Sequence, residues 1–138
     1  AILAGTVTGV LTTMATVLVL ALLFQLTHEQ YVTFLPKSIT TAIGMGVAEE
    51  AGGIVTITIV SIIFTGILGN IVAEGWFKLV GIREPIAKGL ALGTAAHAIG
   101  TSKALELGEV EGAMSSLSIA VAGLMTVIAV PLMAGLIG

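Results

Sequence analysis

The sequence predicts an all-α integral membrane protein with three full transmembrane helices and two discontinuous helices, broken or re-entrant, that form an internal repeat. Three observations carry this reading. The chain is 57% hydrophobic and 9% charged, with a mean hydropathy of +1.16, whereas an ordinary soluble domain has about 25% charged residues. Long uncharged stretches are sized for the roughly 30 Å apolar core of a bilayer. Between them lie two apolar segments interrupted by glycine, proline and small polar residues, the pattern that points to a transporter's binding site.

The first span is Ile2 to Leu26, with no charge and with Thr6, Thr8, Thr12, Thr13 and Thr16 along it. Such hydroxyls can bond back to their own helix, and Gly5 and Gly9 make a small pair for close helix contact. The first broken segment runs from Thr27 to Gly53. Glu29 to Leu35 makes two helical turns, Pro36 disfavours helix at Leu35, and a second piece is expected from Ala42 to Ala51 before Gly52 and Gly53 end it. Ile54 to Val80 is the second span. Glu74 and Lys78 are four apart in the order that favours a helix ion pair, and Trp76 suits the membrane interface.

Lys78, Arg83 and Lys88 hold three of the five positive charges, which places this bend on the cytoplasmic side. Pro85 suits the first turn of a new helix. The second broken segment runs from Pro85 to Gly108, with a break expected between Gly93 and His97. Glu109 and Glu111 are read as loop residues. A final span covers residues 110–137, bent but not ended by Pro131. The whole is expected to be one transmembrane domain, 1–138, with a first repeat over 1–53 and a second over 54–108.

The repeat is visible at an offset of 56 residues. Ala42, Ile43, Gly44, Ala48, Glu50 and Gly52 recur as Ala98, Ile99, Gly100, Ala104, Glu106 and Gly108. Gly44, Ala48 and Gly52, and again Gly100, Ala104 and Gly108, are spaced as smooth stripes for helix crossing. Two topologies fit. If each broken segment crosses, the repeats run parallel; if each is re-entrant, they are inverted and their tips meet near the midplane. A length of about 24 residues at 1.5 Å per residue is enough to cross once, and leans toward crossing.

A broken helix exposes free amides at the start of its second half, where an anion is favoured. These lie near Thr40, Thr41 and Ala42, and near His97, Ala98 and Ile99. Lys37, Ser38, Thr40, Thr41, Thr94, His97, Thr101 and Lys103 are therefore the candidate substrate-binding residues, for a small anion such as a short hydroxy-carboxylate. Simpler roles compete: Lys37 can snorkel to the interface, Lys103 and Glu106 can neutralise each other, and a neutral His97 can be satisfied by a backbone carbonyl. There is no Cys and no Asp, so thiol chemistry is excluded, and neither a metal nor a cofactor is expected. Nothing before Glu29 supplies the basic start of a signal peptide, and no basic surface suits nucleic acid. No nucleophile-and-base spacing points to an enzyme.

LPKSITTAIGMGVAEEAGG, from Leu35 to Gly53, and REPIAKGLALGTAAHAIGTSKALELGEVEGAMS, from Arg83 to Ser115, closely resemble the LrgB/CidB family of membrane proteins. Members carry a further hydrophobic N-terminal region, so the chain resembles the C-terminal part, and they often have Pro where Ala42 stands here. The resemblance implies two functions. One is an antiholin-like or holin-like regulator of murein hydrolase activity and lysis, acting by oligomerisation with a small LrgA/CidA-type partner. The other is a carrier, of glycolate and glycerate as in the plastid-envelope relatives, or of pyruvate, to whose movement bacterial relatives are linked. The paired polar breaks favour the carrier, in a bacterial inner membrane before a plastid envelope, as a homo-oligomer.

Overall fold

The computed structural model describes residues 1–138, and it is built of helices alone. In chain order they are α1 (Ile2–Leu23), α2 (His28–Phe34), α3 (Thr41–Glu50), α4 (Val55–Val80), α5 (Pro85–Leu107) and α6 (Glu109–Ala134). Three of them, α1, α4 and α6, are long and apolar enough to cross a membrane. Their exposed faces carry Leu11, Leu22, Phe64, Ile71, Leu124 and Leu132, side chains that only a lipid environment matches at this density.

The two broken segments are helical hairpins, and neither crosses. α2 starts at a capping box, with Gln30 N–H donating to Thr27 Oγ1 at 3.3 Å and Thr27 N–H donating to Gln30 Oε1 at 3.0 Å. There His28 Nδ1 bonds Ile137 O and the Tyr31 hydroxyl donates to Met133 O at 3.0 Å, so α2 begins beside the end of α6. The turn after α2 brings Ile39, and then Ile43 in the first turn of α3, against Gly123 at the middle of α6. α3 then runs back until Val47, Glu50 and Ala51 lie beside Val130, Pro131 and Ala134. Gly53 ends on the backbone of Thr33. The hairpin thus returns to the side it left.

The second hairpin is α5 itself. Two helical arms meet at His97, whose φ of 43 and ψ of −137 are not helical, and the chain reverses there. The arm before His97 lies against α6, Gly89 on the backbone of Glu111 and Gly93 on Ser118. The arm after it returns, Leu105 on Gly112 and Ala104 in one apolar cluster with Leu92, Ala73 and Phe77. The missing Cβ of Gly100 is what lets this arm meet the carbonyl of Leu92.

These contacts correct the lean toward crossing that length suggested. The arm of residues 85–96 rises about 18 Å at 1.5 Å per residue, little more than half of a roughly 30 Å core, so each segment is long enough for two half-depth arms. α1 and α6 run one way and α4 the other, and the hairpins dip in from opposite ends. The second break falls at His97, the far end of the window expected from Gly93, and Gly93 itself is a packing glycine. Two smaller expectations change. Glu109 and Glu111 are the first turn of α6, not a loop. Gly52, at φ 82, ends α3 with nothing within 4 Å of its missing Cβ, and Gly108 is the N-cap of α6; of the two stripes, Gly44, Ala48, Gly100 and Ala104 are the buried members.

Single cysteines at Glu29 and Gly53 should react with a membrane-impermeant maleimide from one and the same face of sealed vesicles. Lys88 and Glu109, as cysteines, should react only from the other.

Candidate functional site

The hairpin tips converge on the middle of the bundle because glycines clear the way. Gly44 of α3 sits against the side chain of Ile62 on α4, and Gly66, one turn on, sits against the His97 ring. The His97 imidazole is buried and its Nε2–H donates to Ile62 O at 2.8 Å. One residue of α4 therefore touches both tips. The His97 backbone angles lie where only glycine is comfortable, at a cost of about 1–3 kcal/mol for another residue. A buried hydrogen bond worth roughly 1 kcal/mol and close packing on Gly66 offset part of that.

Ser38 from the first tip and Thr94 from the arm leading to the second line a single buried cavity of about 10 Å³. Thr13 of α1 and Thr126 of α6 complete its polar lining, so each of four elements contributes one hydroxyl. The Thr126 side chain is 4% exposed, and its hydroxyl makes no hydrogen bond within the chain. Thr94 Oγ1 donates to Leu90 O at 2.8 Å, and Ser38 Oγ accepts from Lys37 Nζ at 3.0 Å. Lys37 has no carboxylate partner, since both ion pairs of the molecule belong to Lys103. The cavity holds about one water, and an organic anion fits only if the tips separate. Thr13 and Thr94 also line an open groove of about 430 Å³ between α1 and α5, so the cavity lies directly behind that groove.

The other sequence-derived candidates sit at varying distances from this cavity. Thr40 is the N-cap of α3 and Thr41 its first residue, both half-buried, and the amides of Thr41, Ala42 and Ile43 have no backbone acceptor. Thr101 is tied down, its hydroxyl 3.0 Å from His97 O and 2.7 Å from Ser115 Oγ. Lys103 lies on the returning arm with its ammonium 2.6 Å from Glu74 and 3.1 Å from Glu106. It pins the second hairpin to α4 and is already neutralised. Glu74 therefore pairs with Lys103, not with Lys78 as spacing suggested.

Sequence reasoning missed Thr13 and Thr126. A signal existed for the second, because Thr126 is the lone hydroxyl in the nineteen residues from Ile119 to Ile137. It also missed Asn70, whose side-chain amide donates to Ile99 O at 3.0 Å and supports the start of the returning arm.

The model of the LrgB-like family matches residues 1–136. Curated relatives named antiholin-like protein LrgB, from Bacillus mycoides strain KBAB4, Bacillus cereus strain B4264 and Bacillus anthracis strain CDC 684, are each 37% identical over 99% of this chain. The chain spans 60% of the length of each. No solved structure matches.

His97→Gly should unfold at a higher temperature than His97→Ala in detergent, because both lose the bond to Ile62 and only alanine keeps the strained backbone; equal midpoints would contradict the strain. Gly66→Ala drives a Cβ to 2.8 Å from His97 Cε1 and should cost roughly 1–3 kcal/mol, read from the same thermal curves.

Proposed function

Because this chain belongs to the LrgB-like family, we propose two readings of what it does, and the site's geometry favours a carrier for small monocarboxylates of the glycolate, glycerate or pyruvate kind. The observation that supports it is that Ser38 of one hairpin and Thr94 of the other share a cavity, with the Lys37 ammonium bonded to Ser38 and free of any carboxylate. A charge at membrane depth without a partner is costly, and a substrate carboxylate would relieve that cost. Lys37 supplies the charge, and Ser38, Thr13, Thr94 and Thr126 supply hydroxyls. Thr40, Thr41 and the open amides at the start of α3 add a partial positive charge at the same tip. His97 holds the second tip closed on α4, and its release would let the tips part. Thr101 and Lys103 position the returning arm.

The substrate would enter by the groove between α1 and α5. Under the positive-inside rule, the ends bearing Lys78, Arg83 and Lys88 face the cytoplasm of a bacterial cell. The structural logic is that of inverted repeats whose broken helices meet at the midplane.

The second reading is an antiholin-like regulator that assembles with itself or with a small LrgA/CidA-type membrane partner. The names of the curated relatives favour this one. Under it, the buried small residues Gly44, Ala48, Gly100 and Ala104 are packing devices alone, and the apolar faces of α1, α4 and α6 are where a partner docks.

Proteoliposomes carrying the chain should take up labelled glycolate or pyruvate, and Lys37→Ala should lower the initial rate at least tenfold. Uptake that is absent in every preparation, beside cross-linked assemblies with an LrgA-type partner, would favour regulation. Equal uptake by wild type and Lys37→Ala would remove Lys37 from the site.

A further inference from the structure

We propose that a second anion site lies at the membrane surface, in the pocket between the end of α4 and the start of α5, and that it binds a phosphate-bearing group. The pocket has a volume of about 420 Å³ and is lined by Lys78, Arg83 and Lys88 with Phe77, Ile82 and Leu107. Three of the chain's five cations thus converge on one cavity from three places: the last turn of α4, the connecting turn and the first turn of α5. None of the three makes an ion pair. The pocket's one carboxylate, Glu74, is engaged by Lys103 at 2.6 Å, and the neighbouring Glu84 is exposed and outside the lining.

The fold builds this convergence. Gly81, at φ 74, ends α4 in the left-handed conformation and turns the chain, and Pro85 starts α5 within four residues. The re-entrant path of α5 then brings Leu107 back beside Lys88, closing the apolar wall. Trp76, on the same turn of α4 and 57% exposed, marks the level of the lipid head groups. A basic pocket at that level, with an apolar floor and its one carboxylate already paired to Lys103, matches the head group of an anionic phospholipid. Free phosphate shares the chemistry but not the apolar wall. This site is separate from the cavity between the hairpin tips and does not depend on the carrier reading.

The test is native mass spectrometry of the purified chain in detergent, with phosphatidylglycerol, phosphatidylcholine and inorganic phosphate as separate probes. Phosphatidylglycerol should be retained and phosphatidylcholine lost. At about fivefold per cation near a bilayer surface, Arg83→Gln should weaken phosphatidylglycerol binding about fivefold, and the triple Lys78→Gln, Arg83→Gln, Lys88→Gln on the order of a hundredfold. Arg83 is an exposed turn residue, so the single variant serves if the triple does not fold. Displacement of the lipid by millimolar phosphate would assign the same site to the free anion. Equal retention of the two lipids, or wild-type affinity in Arg83→Gln, would overturn the proposal.

Discussion

The constraint on which the fold depends is that no backbone polar group can be left unpaired where water is absent. A helix that stops halfway through a bilayer violates this unless side chains or neighbouring backbones take up the freed groups. Each hairpin pairs part of its interrupted backbone with specific partners, and the amides of Thr41, Ala42 and Ile43 at the first tip are the ones without a backbone acceptor. Thr33 Oγ1 accepts from the amide of Ile54 at 2.8 Å, and Thr58 donates to the carbonyl of Thr33 at 2.8 Å. Asn70 serves Ile99 in the second hairpin. No fully occluded side-chain nitrogen or oxygen is left without a partner, while the Thr126 hydroxyl, on the wall of the cavity between the tips, makes no hydrogen bond within the chain. The polar residues scattered through an apolar chain are therefore first a repair kit for interrupted backbone. Lys37, which has no carboxylate partner, and Thr126, which bonds nothing within the chain, stand outside that repair.

That distinction separates the two half-buried lysines. Lys103 and Lys37 look alike in sequence, each near a break and each flanked by small polar residues. Lys103 faces two carboxylates and holds an arm in place. Lys37 donates to Ser38, and Ser38 lines the cavity. An ammonium with two carboxylates is part of the scaffold, and one with only a hydroxyl attracts an anion. The tips are shut to the size of one water, so carriage would require the His97 and Gly44 contacts with α4 to loosen. Were the tips to part, relief of the strained His97 backbone would contribute to that movement.

Much of this was legible in the sequence. The three spans follow from uncharged length, and the paired interruptions follow from the offset that aligns Ala42–Gly44 with Ala98–Gly100. The direction of the hairpins was not legible, because the same residue count serves one full crossing or two half-depth arms; tertiary contacts at Gly53 and Gly100 decide it. The second break was expected between Gly93 and His97, but its exact residue was not legible. Glycines usually mark a break, yet Gly89 and Gly93 are used for close approach to α6, and a histidine takes the glycine-like angles. Thr13 and Thr126 were obscured because threonine in an apolar span normally bonds its own helix, as Thr6 and Thr16 do here. Glu74 chose Lys103 over Lys78 because a hairpin folded back alongside α4 brought a nearer cation.

The central claim is that the two hairpin tips meet inside the bilayer, and the chain's lack of native cysteine makes it directly measurable. In a Ser38→Cys, Thr94→Cys variant held in native membranes, a short bifunctional thiol reagent should close an intramolecular cross-link within minutes, while a Ser38→Cys, Leu132→Cys pair should not react. Failure of the first pair to cross-link, with both thiols shown to be free and the chain folded, would contradict the account.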